Sequence, residues 1–293
     1  MNGPPGTGGR PHGGRDYPSG PRFGIPLEVK PAELLDKLWR DYVASTPQAE
    51  RIHHLLTERG EIIRDDHVAL RTFGSAGIGI DALARPFEAL GWRARDHYRF
   101  ADKHLRARYW QHDDEALPKV FISELVLAEL SPTARSVVAG LVDQLPLDFG
   151  ARPDLPTAGR PWMMTYAEYQ TLLAESEYAA WVAAFGFRVN HFTVDVGTLS
   201  TFPDLQALDA FLVEHGFTLN ESGGVVKGSP SERLEQSSTL ADSIDVQFAD
   251  RTVRIPSCYY EFARRYRLPS GELFQGFVPA SADKIFESTD ARR

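Results

Sequence analysis

The chain has 293 residues, 42% hydrophobic and 25% charged, which is enough to bury a substantial core. Its formal net charge of -8 argues against a nucleic-acid-binding surface, although a local arginine can still hold an anionic substrate. The single cysteine, Cys258, excludes an intramolecular disulfide framework and a cysteine cluster for metal. No apolar run approaches the ~20 residues that span a bilayer, and the N-terminus lacks the apolar region of a secretory signal. We therefore expect a cytoplasmic protein with no membrane partner.

The N-terminal part of the chain changes character near Pro31. Residues 1–26 are rich in Gly, Pro and Arg and hold almost no aliphatic residues, so they cannot bury enough apolar surface to offset their ordering entropy. We predict a disordered tail there and a single catalytic domain over residues 27–293. Helical spacing of apolar residues then predicts two helices, at residues 32–42 and 47–59.

The next segment, about residues 64–128, predicts a β-α-β-β-β module. Its first strand is rich in apolar and β-branched residues, and its helix ends at Gly91. The predicted elements are a strand at 64–73, a helix at 80–90 and strands at 92–100, 105–112 and 120–127.

The same order of elements recurs later in the chain. A mostly helical insert, residues 131–185, separates the two copies, and a C-terminal segment, residues 266–293, follows the second. The second module, about residues 187–265, is predicted to contain a strand at 189–196, a helix at 203–215 and strands at 217–221, 234–248 (with an interruption) and 253–263. We therefore expect an α+β fold in which the two modules form a curved central sheet around a metal site, with flanking helices.

Two histidines occupy similar places in the two modules. His67 and His191 each lie near the start of the first strand of their module. Glu261 lies in an aromatic and apolar run, where a buried carboxylate needs a cation or a metal. Two imidazoles and one carboxylate form the ligand set of non-haem Fe(II) oxygenases. Zinc accepts the same ligands, so the residues alone leave the metal open.

Arg71 lies on the same strand face as His67, because side chains alternate along a strand. A guanidinium in a pocket can hold a carboxylate through two parallel hydrogen bonds. The alternative is an ion pair with Asp66 or Glu124. Glu124 lies in the last strand of the first module, the place that corresponds to Glu261, and is a weaker candidate for a fourth ligand. Glu261 could itself pair with Arg264, Arg265 or Arg267.

Five stretches in one order give the chain a resemblance to a known family. They are HVALRTF, KGSP, LEQSS, YEFARR and ADKIFEST, at residues 67–73, 227–230, 234–238, 260–265 and 282–289. From about residue 30 onwards the chain resembles the DUF1338 family. That family is identified with 2-oxoadipate dioxygenase/decarboxylase, also called hydroxyglutarate synthase, and has a core of the vicinal-oxygen-chelate type.

The resemblance implies a reaction and a set of site residues. Fe(II) would be held by His67, His191 and Glu261, and Arg71 would hold the distal carboxylate of the substrate. Val278 is the match for a further substrate-contacting residue. The implied reaction converts 2-oxoadipate and O2 to 2-hydroxyglutarate and CO2, a step of lysine catabolism.

Two other functions fit the same scaffold. One is a Zn- or Ni-dependent isomerase or lyase of the glyoxalase kind, which would work without oxygen. The other is a non-catalytic ligand-binding module. The presence of all three ligand-type residues argues against the second, because sequestering a ligand needs no metal.

Overall fold

The computed structural model describes Met1 and residues 30–289, so the tail predicted over residues 1–26 lies outside the described residues apart from Met1. Two helices come first, α1 (Pro31–Ser45) and α2 (Pro47–Glu58), as predicted. Each begins with a proline, whose fixed φ and missing N–H suit the first helical position. Gly60, at φ +91°, follows α2 in a left-handed conformation that favours glycine.

The first module has the predicted order of elements. It consists of β1 (Asp65–Phe73), α3 (Ile80–Ala89), β2 (Arg93–Phe100), β3 (Leu105–Gln111) and β4 (Lys119–Leu125). Strand β1 pairs in parallel with β4, which pairs in turn with β3, and β2 forms the edge of the sheet. The buried strand β1 is therefore the innermost strand of this module.

The helical insert supports the buried strand β1. It contains α4 (Pro132–Val142), α5 (Tyr166–Glu175) and α6 (Glu177–Phe185). Helix α6 is apolar on all sides, and every residue after the first is buried, as expected for a helix enclosed by protein. The Tyr178 hydroxyl accepts a hydrogen bond from the Thr72 N–H at 3.2 Å, which joins α6 to β1.

The second module repeats the arrangement with one insertion. Its elements are β5 (Val189–Asp195), α7 (Leu205–Glu214), β6 (Lys227–Ser229), β7 (Leu234–Ser238), the hairpin β8 (Ser243–Gln247) and β9 (Thr252–Pro256), and β10 (Glu261–Arg265). The eight-stranded sheet has the order β2-β3-β4-β1-β5-β10-β7-β6, and β8–β9 forms a separate two-stranded sheet. The two halves meet at the antiparallel pair β1–β5. The predicted fold, two such modules in a curved half-barrel sheet with flanking helices, is confirmed.

Two predicted strands of the second module differ from the structure. Residues 217–221 form only an isolated bridge, from Leu219 to Thr239, and the first strand after α7 is β6. The strand predicted at 253–263 is divided into β9 and β10. The interruption predicted within 234–248 is confirmed, because β7 ends at Ser238 and β8 begins at Ser243. The chain leaves the hairpin where Asp242 exchanges backbone hydrogen bonds with Ser257 and Cys258. These bonds turn the backbone from the small sheet into the large one.

The C-terminal segment lies over the sheet. Helix α8 (Pro279–Ile285) contacts β2, β6 and β7, and a 3-10 turn (Phe286–Thr289) follows it. Asn220 fixes this segment by donating hydrogen bonds to the Lys284 carbonyl and the Ser288 hydroxyl. Within residues 30–289, no helix combines the length and the hydropathy that a membrane span requires.

Candidate metal centre

Three neighbouring strands bring three potential metal ligands together. His67 lies on β1, His191 on β5 and Glu261 at the start of β10, and β5 pairs with both other strands. The His67 Nε2 is 3.6 Å from Glu261 Oε1, and the His191 Nε2 is 3.2 Å from Glu261 Oε2. One ligand atom from each residue lies within 4.8 Å of the others, and all three side chains are buried. The structure therefore brings together the three side chains that the sequence singled out.

The donor atoms of these three residues suit a divalent cation. Burial, aided by the nearby His67 and Arg71, holds the pKa of His191 well below its usual value, so its imidazole is in the neutral form that binds metals. Burial raises the pKa of Glu261, and its Oε2 has no hydrogen-bond partner among the residues described. A buried carboxylate oxygen without a partner is costly, and a bound cation would compensate it. The site thus fits a metal such as Fe(II) or Zn(II).

The sequence did not reveal the two residues that orient the histidines. The β1–β5 pairing shifts register at Asp66 and again at Asn190, so each is an extra bulged residue just before a histidine. The His67 Nδ1–H donates to Asp66 Oδ1 at 2.8 Å, and the His191 Nδ1–H donates to Asn190 Oδ1 at 3.0 Å. Each bond directs the Nε2 lone pair into the site, as in many metal centres. The Thr193 hydroxyl lies 3.1 Å from His67 Nε2. It can donate a hydrogen bond to this nitrogen, because Nε2 carries a lone pair when Nδ1 carries the proton.

Asp66 is itself held by a buried cation. Arg265 donates two hydrogen bonds to its carboxylate, at 2.6 Å and 2.9 Å. Burial of Asp66 opposes its charge, but the Arg265 guanidinium and the His67 hydrogen bond hold its pKa well below the usual range. Of the three arginines considered as partners for Glu261, Arg265 is therefore committed to Asp66, while Arg264 and Arg267 donate to backbone carbonyls.

Arg71 has an environment that suits an anion. Its side chain is 1% exposed, and its guanidinium lies 5.1 Å from the Tyr178 ring and 5.2 Å from the Trp181 ring. The Nη1 donates to Thr289 Oγ1 at 3.1 Å and lies 3.6 Å from Glu177 Oε1. The Nε and Nη2 groups have no hydrogen-bond partner in the part of the chain described, and the buried Tyr259 hydroxyl, which also has none there, is a neighbour of this guanidinium. Buried donors without partners are rare, and they mark a place where an anion can bind.

The alternative ion pairs considered for Arg71 are wrong. Its carboxylate neighbour is Glu177, not Asp66 or Glu124. Glu177 is the first residue of α6, which packs on β1. This contact could not be predicted from the sequence, because it depends on how the helical insert folds back.

Glu124 is not a fourth ligand. Its Oε2 accepts a hydrogen bond from the Ile80 N–H at 2.8 Å at the start of α3, and Arg106 pairs with its Oε1. In the register of β1 and β4, Phe121 lies beside Ala69 and Ser123 beside Arg71, so Glu124 projects to the opposite face. It lines a separate cleft of about 920 Å³ next to α3, where it already has these partners. The three clustered side chains His67, His191 and Glu261 lie outside this larger cleft.

A small cavity adjoins the three ligands. Its volume is about 20 Å³, and the C-terminal segment supplies much of its wall. It is lined by His67, Phe121, His191, Gln236, Glu261, Phe277, Ala282, Ile285 and Phe286. Val278 is the N-cap residue of α8 and is not among these lining residues, whereas the neighbouring Phe277 packs edge-on against His67 at 4.9 Å. The substrate contact expected of Val278 stays a prediction.

Comparison with known proteins shows which family this chain belongs to. The family model HGLS, 2-oxoadipate dioxygenase/decarboxylase, matches residues 28–145 and 159–274. A rice protein named 2-oxoadipate dioxygenase/decarboxylase, chloroplastic/amyloplastic, is 36% identical over 282 residues, which cover 87% of this chain and 78% of the relative. The Arabidopsis thaliana chloroplastic protein of that name is 38% identical over 252 residues, which cover 76% of this chain and 67% of the relative.

A solved structure agrees with these sequence matches. The crystal structure of the hydroxyglutarate synthase in complex with 2-oxoadipate from Oryza sativa has a TM-score of 0.85 and 33% identity to this chain. The match covers 96% of this chain and 99% of the rice chain. The resemblance seen in the sequence is confirmed, and the chain belongs to the 2-oxoadipate dioxygenase/decarboxylase family.

Proposed function

We propose that the protein is an Fe(II)-dependent dioxygenase that converts 2-oxoadipate and O2 to 2-hydroxyglutarate and CO2. Its similarity to the rice enzyme that binds 2-oxoadipate supports the substrate. The observation on which the proposal depends most is the pairing of two features on β1. His67 is one of three clustered metal-ligand side chains, and Arg71, on the same strand, has buried N–H groups without partners.

Arg71 is the anchor for the distal carboxylate of the substrate. Its Nε–H and Nη2–H offer two donors, and a guanidinium can bind a carboxylate through two such bonds at once. The surrounding aromatic rings exclude water, which strengthens the charge interaction. A substrate held at its far end has its 2-oxo acid end fixed next to His67 and His191, and this positioning lowers the entropic part of the barrier.

The three ligand residues provide the place for the metal. Fe(II) bound there would supply the electrons for oxygen activation, which amino-acid side chains cannot supply. Asp66 and Asn190 keep both histidines in the tautomer that offers Nε2. Because burial keeps His191 neutral, its ligand nitrogen stays available at physiological pH.

The C-terminal segment closes the site. The cavity of about 20 Å³ has room for about one water molecule and is too small for a six-carbon acid. Side chains such as Phe277 and Phe286 therefore have to shift when the substrate enters. Once they close over it, they keep bulk water away from the reacting groups.

The domain organisation, the metabolic role and the cellular location that we propose are those expected from the sequence. We propose a single catalytic domain over residues 27–293, because both modules contribute ligands to one site. The family resemblance supports a role in lysine catabolism. The composition of the chain supports a cytoplasmic location. The two plant relatives are named as chloroplastic, and fractionation of cells that express this protein tests the cytoplasmic location.

The test uses apo-protein reconstituted without oxygen with Fe(II), Zn(II) or Ni(II). We expect oxygen uptake on adding 2-oxoadipate to the Fe(II) protein only, with one CO2 released per O2 and 2-hydroxyglutarate as product. The acid shorter by one carbon, 2-oxoglutarate, serves as the comparison substrate. Turnover of 2-oxoadipate by the Zn(II) or Ni(II) protein without oxygen would instead indicate an isomerase or lyase.

A further inference from the structure

The two carboxylate oxygens of Glu261 have different surroundings. Oε1 accepts a hydrogen bond from the Gln236 side-chain amide at 2.6 Å. Oε2 lies 3.2 Å from His191 Nε2 and has no hydrogen-bond partner among the residues described. An ionised carboxylate only accepts hydrogen bonds, so the Gln236 atom in this contact is the NH2 group. Oε1 is thus held by Gln236 and lies 3.6 Å from His67 Nε2, whereas Oε2 lies next to His191 and accepts no hydrogen bond from the described residues.

Gln236 is itself held in place. It lies on β7, opposite Ala263 of β10 and Lys227 of β6, and its side chain is 2% exposed. Strand pairing on both sides leaves its amide little freedom to leave Glu261. Gln236 also lines the cavity, and its Oε1 has no hydrogen-bond partner within the described part of the chain. It is therefore a polar group in contact with a ligand residue, at the wall of the site.

We propose that Gln236 is a positioning residue that restricts Glu261 to one ligand oxygen. A free carboxylate can bind a metal through one oxygen or both. Binding through both would take a coordination position that the histidine–carboxylate set otherwise leaves open. Two reactants, the 2-oxo acid and O2, need the open positions. By holding Oε1, Gln236 keeps that position available for oxygen when the substrate is present.

This inference rests on the proposed function, and nitric oxide is the probe that separates the two. Nitric oxide occupies an open position on Fe(II) and gives a characteristic electron paramagnetic resonance signal without turnover. The proteins are the wild type, Gln236→Met and Gln236→Leu, each loaded with Fe(II) without oxygen. Ser238→Ala is the matched control, because Ser238 is buried on the same strand and lies opposite Glu261 in the β7–β10 register, but its hydroxyl hydrogen-bonds Ser288 and not the Glu261 carboxylate.

We expect every protein to give the nitrosyl signal when 2-oxoadipate is absent. With 2-oxoadipate, the wild type and Ser238→Ala keep the full nitrosyl signal. In the two Gln236 variants the intensity of that signal falls about tenfold, which is the usual size of effect for residues that support metal ligands. Equal signals from the wild type and both Gln236 variants in the presence of the acid would overturn the role of Gln236 alone. A wild type that binds no iron would overturn the proposed function and this role with it.

Discussion

The Asp66 carboxylate accepts a hydrogen bond from the ring of its own neighbour, His67, at 2.8 Å. Adjacent residues on a regular strand point to opposite faces, so this contact needs the bulge in the β1–β5 pairing. The second bulge gives Asn190 the same relation to His191. The two halves of the sheet thus orient their ligand histidines by the same device, with a carboxylate in one half and an amide in the other.

The first prediction follows from the difference between Asp66, a charged partner of its histidine, and Asn190, a neutral one. Asp66→Ala and Asn190→Ala should each weaken Fe(II) binding about 10- to 100-fold, because each releases one ligand ring. Asp66→Ala should also cost about 3–5 kcal/mol of folding stability, because it leaves the buried Arg265 without its anion. Asn190→Ala leaves no such charge behind and serves as the control. Metal titration and urea denaturation measure the two effects, and equal stability losses in both variants would contradict this account.

The second prediction concerns the anchor for the substrate. Arg71→Gln should weaken transition-state binding of 2-oxoadipate by about 2–3 kcal/mol, or roughly 30- to 150-fold in kcat/KM, because it removes a charged hydrogen-bond donor. Oxygen consumption should also become uncoupled from product formation. Thr289→Val is the control, since it removes the hydroxyl at Nη1 and keeps the guanidinium. An Arg71→Gln enzyme with unchanged KM would show that the carboxylate binds elsewhere.

The third prediction concerns the wall of the cavity. Phe286 lines the site, lies 5.5 Å from the Arg71 guanidinium and packs edge-on against Phe100 at 5.2 Å. Phe286→Ala should cost about 3–5 kcal/mol of stability and admit longer 2-oxo dicarboxylic acids. Phe100→Ala should cost a similar amount without changing the preferred chain length, because Phe100 is not among the lining residues. Relative kcat/KM values for acids of increasing length decide between these outcomes.

The fourth prediction is a pH dependence of stability away from the site. Burial alone raises the pKa of Glu61, but hydrogen bonds from the backbone and hydroxyl groups of Thr201 and Ser200 outweigh it and lower the pKa to about 2. The native state therefore binds this proton less readily than the unfolded chain does. The contribution of the Glu61 charge to the free energy of unfolding is fully present above the unfolded pKa of about 4.5 and is lost as the pH falls towards 2.

Glu61→Gln tests this dependence. The substitution should lower the free energy of unfolding by about 1–3 kcal/mol at neutral pH, because hydrogen bonds to a charged group are replaced by weaker ones. Urea denaturation measures this change. The cost should shrink as the pH is lowered, since the wild type also loses the charge. A cost that stays constant from neutral to acid pH would mean that the charge of Glu61 does not matter.

Strand alternation and the repeated order of elements predicted much of this molecule. They placed His67 and Arg71 on one face of β1, and the two-module sheet is confirmed. Alternation also shows why Glu124 fails as a counterpart of Glu261. Phe121 and Ser123 occupy the inner face of β4, so the Glu124 side chain projects to the outer face. There it accepts a hydrogen bond from the Ile80 N–H at the start of α3.

The parts that sequence did not predict depend on irregular backbone and on distant contacts. A regular strand would turn Asp66 away from His67, and a one-residue bulge has no distinct sequence pattern. The contact between Gln236 and Glu261 depends on the pairing of β7 with β10, and the contact between Glu177 and Arg71 on the packing of α6 against β1. The division of the predicted strand at 253–263 was missed, although Pro256, which cannot donate a ladder hydrogen bond, marks the point where β9 ends.

The most direct test of the central claim is to follow oxygen-18 from labelled O2 into the product. The substrate has five oxygen atoms and CO2 removes two, so two of the five in 2-hydroxyglutarate must come from O2. We predict that the Fe(II) protein incorporates both labelled atoms into 2-hydroxyglutarate, while the CO2 stays unlabelled and His67→Ala gives no product. Unlabelled product, or product formed without oxygen, would contradict the assignment of this protein as a dioxygenase.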